Sequence, residues 1–344
     1  MSEGTPATPV GRPTLEEVAR VAGVSRATVS RVINGSPRVS PDVLAVVEKA
    51  IAELDYVPNR AARSLVARAT MSIALVVPED THRFFGDPYF ADVVQGISDR
   101  LDDSDYVLNL QLTSPSSPSD KTKRYLLGGN VDGAIVVSHH SGDHFLTSLS
   151  RSLPIVFGGR PIGEAAAVDS DYYIDVDNRL GGVRGTQHLI DRGRTAIATI
   201  TGPADMPASV DREQGWRDAL AGAGLPDHRL ARGDFTEAGG IRAALALIDE
   251  YPDIDALFVA SDLMASGALL ALEERGLRVP EDVAVVGFDN SKYATRGKVG
   301  LTTVAQPAQE MGVVMADTLL RLLAGESPPR VTTLDTELVV RDSS

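Results

Sequence analysis

Short apolar runs alternating with helical stretches are what most constrain the fold of this chain. The runs are SIALVVP (72–78), YVLNLQL (106–112), DGAIVVS (132–138), LPIVFGG (153–159), AIATITG (196–202), DALFVAS (255–261) and VAVVGFD (283–289). Most are separated by about 10 to 20 residues of helical pattern, such as RLGGVRGTQHLIDRG and LMASGALLALEERG. Strand followed by helix, repeated with strands apolar on both faces, implies α/β architecture: parallel sheets covered on both sides. Two such groups, one on either side of roughly residue 170, predict two lobes. Their cleft should lie at the carboxyl ends of the strands, where such sheets bind ligands. Asp262 ends FVASD, Asp289 ends VVGFD, and Arg212 and Trp216 follow ITGPADMPASV. Carboxylates and an arginine can hydrogen-bond sugar hydroxyls, and aromatic rings can cover a sugar's apolar face. The same residues also suit an interlobe salt-bridge network with a core tryptophan, and spacing alone favours neither.

The first part of the chain has a different grammar. Residues 1–13, rich in Pro, Thr and Gly, read as a disordered arm. LEEVARVA (15–22) places Leu15, Val18, Ala19 and Ala22 at helical spacing, after Thr14 and Glu17 at capping-box spacing. Gly23 then permits the left-handed turn that ends a helix. VSRATVSRVIN (24–34) sorts its residues at about 100° each. Arg26, Ala27, Ser30, Arg31 and Asn34 share one arc, and Thr28, Val29, Val32 and Ile33 the other. This is the pattern of an all-α helix-turn-helix, whose second helix enters the major groove of DNA. Arginine can donate two bonds to guanine, and Ala27 permits close approach to a thymine methyl. Thr14 and Ser25 are best placed for phosphate contacts. Ser40, Pro41 and Asp42 start a third helix carrying Val43, Val47, Ile51 and Leu54, which Pro58 stops. NRAARSLVA (59–67) combines Arg60 and Arg63 with Ala62 and Leu65 on one face, the composition of a minor-groove wedge.

Charge follows the same division. Residues 1–68 hold nine Lys and Arg against seven acids, and the remainder 24 against 40, so the net charge of −14 belongs to the larger part. An acidic body discourages non-specific DNA contact and confines it to the first unit. With no cysteine, disulfides and thiolate metal sites are excluded. No run approaches the ~20 apolar residues of a membrane span, and the N-terminus has no hydrophobic signal core. A cytoplasmic protein is expected.

Residues 14–65 (TLEEVARVAGVSRATVSRVINGSPRVSPDVLAVVEKAIAELDYVPNRAARSL) resemble the headpiece and hinge helix of the LacI/GalR repressor family, and 72 to about 340 resemble its periplasmic-binding-protein-like core. The resemblance implies a headpiece at 14–57, a hinge helix at 58–67 and an effector-binding, dimerising core at 72–344. Within the core it implies an N-subdomain of about 72–170 and 308–330, and a C-subdomain of about 171–306 and 331–340. Arg26, Ala27 and Arg31 take the base-reading positions, with Asn59, Ala62 and Leu65 at hinge positions. The full DNA-binding set is Thr14, Ser25, Arg26, Ala27, Thr28, Ser30, Arg31, Asn34, Asn59, Arg60, Ala62 and Leu65. The implied effector-binding set is Tyr89, Phe90, Arg160, Arg212, Phe235, Ser261, Asp262, Asp289 and Gln306, with Trp216 assigned to packing.

Ser261 stands where the family's lactose-responsive member has a longer Asn, and Gly159 where it has an acid, so the sugar is held differently. Gly158, Gly159 and the FFGDPYF loop resemble members that answer to plant-derived oligosaccharides such as cellobiose. The implied protein is a repressor, not an enzyme. As a homodimer it binds a palindromic double-stranded DNA operator under control of a small sugar effector, and it needs no cofactor or metal. The family also allows the opposite sign, with a corepressor. Leucine heptads for tetramers are lacking.

Other signals are weak. His139, His140 and His144 with Asp143 lack a completing ligand pattern, and Asp99, Asp102, Asp103 and Asp105 lack the glycine and terminal glutamate of a calcium loop. There is no phosphate loop and no serine elbow. A transport-type sugar receptor would have no use for Val24 to Asn34. A sugar-metabolising enzyme with a fused headpiece would consume its ligand.

Overall fold

The computed structural model describes residues 13–33, 36, 38–56, 69–113, 120–142, 149, 152–161 and 171–344. It forms two compact units, Met1–Thr70 and Met71–Ser344. Asn34, the expected hinge helix with Asn59, Arg60, Ala62 and Leu65, most of the expected arm, and Asp143 and His144 lie outside the described residues.

Among its described residues the first unit holds three helices: α1 (Leu15–Ala22), α2 (Arg26–Ile33) and α3 (Pro41–Glu53). Thr14 and Glu17 close both halves of the capping box, with the Thr14 N–H donating to the Glu17 carboxylate at 2.7 Å. Gly23 takes the left-handed conformation at φ 67°. It ends α1 where a side chain would be strained. Ser25 caps α2, its hydroxyl accepting from the Thr28 N–H at 3.1 Å. Ser40 stands at the start of α3 with Pro41 next, but its hydroxyl makes no capping bond. Val18, Ala22, Val29, Val47, Ala50 and Tyr56 form the core.

The second unit contains two sheets of six strands. The first comprises β1 (Ser72–Val77), β2 (Val107–Leu112), β3 (Gly133–Val137), β4 (Ile155–Gly158), β5 (Tyr172–Val176) and β11 (Val331–Leu334). The second comprises β6 (Ile197–Thr201), β7 (Leu230–Arg232), β8 (Ala256–Val259), β9 (Ala284–Asp289), β10 (Thr302–Ala305) and β12 (Glu337–Val339). Their orders, β11-β5-β4-β3-β1-β2 and β12-β10-β9-β8-β6-β7, repeat one topology. The first sheet is parallel throughout; the second is parallel except for β12, which pairs antiparallel with β10. β1 and β3 are buried almost end to end, as strands covered on both faces must be. β2, at an edge, is half-exposed.

The lobe boundaries differ from those expected. The family resemblance places residues 172–176 and 331–334 in the C-subdomain, but β5 and β11 pair with each other inside the first sheet. The chain therefore crosses between lobes just after Val176, near Gln306, and between Leu334 and Glu337. β5 pairs parallel along the open edge of β4, and β11 along that of β5.

Helices Asn178–Asp191 and Pro207–Ala223 cover one face of the second sheet and cross at Gly182 and Gly215. A Cβ on Gly215 would lie 2.1 Å from the Arg179 carbonyl oxygen, and one on Gly182 2.5 Å from that of Arg212. Without side chains the backbones touch, and Arg212 is brought against the start of the neighbouring helix. Trp216, one turn on, is fully buried among Leu189, Phe258 and Phe288, as its assignment to packing requires.

Candidate functional site

In each sheet the strand order reverses direction beside the first strand, between β1 and β3 and between β6 and β8. A crevice opens at such switch points, at the carboxyl ends of the strands. Here the two crevices face one another and form one cleft of about 650 Å³, counting its open mouth. Ser138 and His139, just past β3, line it from the first lobe with Gly158, Gly159 and Asp175; Ser261, just past β8, lines it from the second with Arg212, Phe235 and Asp289. Arg83, Asp87, Tyr89, Asn178, Met206, Gln306 and Met311 complete most of the wall.

Arg212 is the electrostatic centre. Only 4 % exposed, it donates from Nε to Asn178 Oδ1 at 2.9 Å and from Nη1 to the Ala260 carbonyl at 2.6 Å. It lies 3.4 Å from both Asp289 and Gln306, with the guanidinium 3.6 Å above the Phe288 ring. Gln306 Nε2 in turn donates to Asp289 at 2.6 Å. Burial pushes the Asp289 carboxyl well above the usual range, and the Arg212 charge opposes it. Burial likewise raises Asp87, which caps helix Pro88–Leu101 by accepting from the Tyr89 N–H. Asp175 is raised by the same cause, although it accepts from the Arg160 and Val176 N–H groups at 2.8 Å.

Backbone strain collects at the same place. Ser138, Phe235 and Asp289 adopt positive φ of 60°, 58° and 113°. Such conformations cost roughly 1–3 kcal/mol each and persist only where the surroundings enforce them, which is typical of ligand sites.

Several ties join the lobes around the cleft. Arg160 Nη2 bonds both oxygens of Asp211 at 2.8 and 2.9 Å. His140 stands between Asp205 at 2.9 Å and Glu79 at 3.2 Å. Burial alone would lower His140, but hydrogen bonds and charge from Glu79 and Asp205 outweigh it and raise its pKa. Arg83, paired with Glu79 at 2.8 Å, also reaches 5.0 Å from the Phe235 ring centre.

In the first unit, Arg26, Ala27 and Arg31 are exposed on α2 while Val29 is fully buried, so the sorted helix presents the arc the sequence predicts. Thr28 and Ser30 are half-buried, and Arg26 is tethered to Glu16 of α1 at 3.1 Å, both side chains open to solvent. A basic, small-residue face on an exposed second helix is the surface a major groove accepts.

Residues 14–59 match the model for bacterial regulatory proteins of the lacI family, and 186–344 that for a periplasmic binding protein-like domain. The HTH-type transcriptional regulator CelR of Thermobifida fusca is 45 % identical over 337 residues, covering 96 % of this chain and 98 % of the relative. The chain belongs to the lacI family of bacterial regulators. The ribose operon repressor of Escherichia coli K12 is 35 % identical over 313 residues, 89 % of this chain and 92 % of its own. Among solved structures, the transcriptional regulator CelR–cellobiose complex has a TM-score of 0.77 at 43 % identity, covering 97 % of this chain and all of the other. The lac repressor dimer bound to operator and the anti-inducer ONPF has a TM-score of 0.84 at 28 % identity, covering 97 % and 99 %. As a lacI-family regulator, this chain joins a helix-turn-helix DNA-binding unit to an α/β core with two parallel-sheet lobes.

Of the nine expected effector contacts, the cleft of this lacI-family core gathers Tyr89, Arg212, Phe235, Ser261, Asp289 and Gln306. Three fall elsewhere. Phe90 is 1 % exposed and packs into the core with Phe84 and Val93, its ring edge-on to that of Tyr89 at 5.5 Å. Asp262 is fully buried, its carboxylate accepting from the Thr303 hydroxyl at 2.6 Å and the Ser291 N–H at 2.7 Å. Burial raises it to about 7. Arg160 spends its guanidinium on Asp211 beside the cleft. The sequence reading missed Arg83, Asp87, Ser138, His139, Asp175 and Asn178. The strand-end rule that flagged Asp289 would have found Ser138 and His139 after DGAIVVS. Asp175 was hidden because YYIDV did not read as a strand.

Proposed function

We propose that this chain is a dimeric repressor that binds a palindromic operator, and that a neutral, polyhydroxylated sugar in the cleft lowers its affinity for that operator. The observation that carries the sugar reading is the balance of the cleft wall: three carboxylates, Asp87, Asp175 and Asp289, against two guanidinium groups that are already engaged, Arg212 with four protein groups and Arg83 with Glu79. Such a wall accepts hydrogen bonds from hydroxyls and disfavours phosphate or carboxylate ligands, which bring more uncompensated negative charge into a desolvated site. Phe235, Tyr89 and Met206 supply apolar cover for a pyranose face. The CelR–cellobiose complex among its relatives supports a β-linked glucose disaccharide as the effector.

Control is by linkage. A ligand that prefers one lobe arrangement weakens the DNA-bound state by its differential affinity for the two. Arg26, Ala27 and Arg31 read bases, Thr14 and Ser25 contact phosphates, and Leu65, in the same segment as Asn59, Arg60 and Ala62, serves as the minor-groove wedge. The protein acts by binding alone, with no catalytic step, on DNA in the cytoplasm. A mobility-shift titration with a palindromic site tests the whole reading. Cellobiose should release the DNA, while glucose 6-phosphate at equal concentration should not. Equal affinity for scrambled DNA, or release by the phosphate alone, would overturn it.

A further inference from the structure

His139 is 4 % exposed, lies in the cleft wall just past β3, and is not among the effector contacts implied by the family pattern. Its Nε2 lies 3.2 Å from the Arg160 carbonyl oxygen, and its ring meets Phe157 edge-on at 5.5 Å. A carbonyl oxygen can only accept, so Nε2 carries the proton. A neutral imidazole has one N–H, and Nδ1 is therefore a bare lone pair. Nδ1 has no hydrogen-bond partner among the described residues. A buried acceptor left unpaired is costly, and cleft walls keep such groups where a ligand satisfies them. Burial lowers the His139 pKa to about 4, despite the opposing bond to Arg160, so the ring is neutral at physiological pH.

We infer that His139 is a specificity residue whose Nδ1 accepts a hydrogen bond from one hydroxyl of the effector. The assignment builds on the reading of the cleft as a sugar site and adds a chemical filter to it. A lone pair at that position admits a hydroxyl and rejects a deoxy carbon, an ether oxygen, a carboxylate or a phosphate.

The alternative is that His139 serves only to tie the end of β3 to Arg160 through Nε2. Two substitutions in the full chain separate the roles. In His139→Asn the amide lies near the former Nδ1 and can keep the acceptor while giving up the Arg160 bond; in His139→Gln the amide lies near the former Nε2 and does the reverse. Calorimetric titration with cellobiose should show His139→Asn within about threefold of the parent and His139→Gln weakened about tenfold, the size of one neutral hydrogen bond. The opposite order would refute the assignment. One monodeoxy cellobiose should bind the parent about tenfold more weakly yet bind His139→Gln no worse than cellobiose does.

Histidine-selective ¹⁵N spectra give a readout independent of any variant. The free protein should show a protonated Nε2 and a bare Nδ1 for His139, and the Nδ1 resonance should move upfield when a panel of neutral sugars, cellobiose included, is titrated in. A protonated Nδ1, or no Nδ1 movement with any sugar, overturns the inference. Movement with a sugar other than cellobiose sustains it while removing cellobiose as the effector.

Discussion

Replacing Arg212 with methionine tests the electrostatic centre of the cleft directly. The change keeps a long apolar side chain over Phe288 but removes the charge, leaving the Asn178 oxygen and the Ala260 carbonyl without their short bonds and Asp289 without its cation. Hydrogen bonds to a charged group contribute roughly 1.5–3 kcal/mol each, so the two short ones suggest a loss of about 3–6 kcal/mol. Removing one partner of a buried ion pair typically costs about 3–5 kcal/mol, which agrees. The cost must depend on pH. Asp289 already holds its proton more tightly folded than unfolded, so stability falls as pH rises from the unfolded value through the folded one. Without Arg212 that folded value rises further, and the penalty at pH 8 should exceed that at pH 5. Trp216, the single tryptophan, lies one turn away and is fully buried, so urea unfolding followed by its fluorescence reports on this lobe. A loss below about 1 kcal/mol at both pH values would contradict a buried charge network.

Other perturbations probe different parts of the account. Gly215→Ala drives a Cβ against the Arg179 carbonyl, and should cost about 1–3 kcal/mol, lower the Tm and weaken cellobiose binding by displacing Arg212; an unchanged Tm would disprove the close crossing. Asp262, raised to about 7, holds its proton more tightly folded than unfolded, so the parent should lose stability as pH rises from about 4 to 7. Asp262→Asn should flatten that slope in a series of urea midpoints, and an unaltered slope would assign it to other groups. Arg26→Ala should relax base preference by about 1–3 kcal/mol at a single operator position in a competition assay, whereas a uniform loss across sequences would mark a phosphate contact.

Much of this protein was legible before any coordinates. The headpiece is encoded locally: capping box, Gly23 and the two arcs of α2 each depend on residues within one or two turns, and all appear as the sequence predicts. The continuous apolar runs likewise fixed two α/β lobes, because a strand with no polar face has nowhere to go but between helices. Asp289, Arg212 and Gln306 were found by their positions next to strand ends or by family pattern.

What the sequence could not decide was set by contacts between residues far apart in the chain. Membership of β5 and β11 in the first sheet depends on which strand edge is free, which no local pattern records. Phe90 and Asp262 have the right chemistry for a sugar site but face the core, since helix phase and a bond to Thr303, 41 residues away, determine where they point. His139 is the converse. Its sequence neighbours suggested a polar loop, and only the Arg160 carbonyl, 21 residues on, fixes which nitrogen carries the proton and leaves the other free to read a ligand. Local sequence determines which elements form, because propensity and capping act within a turn or two; the partners of buried polar atoms are set only when the chain folds back on itself.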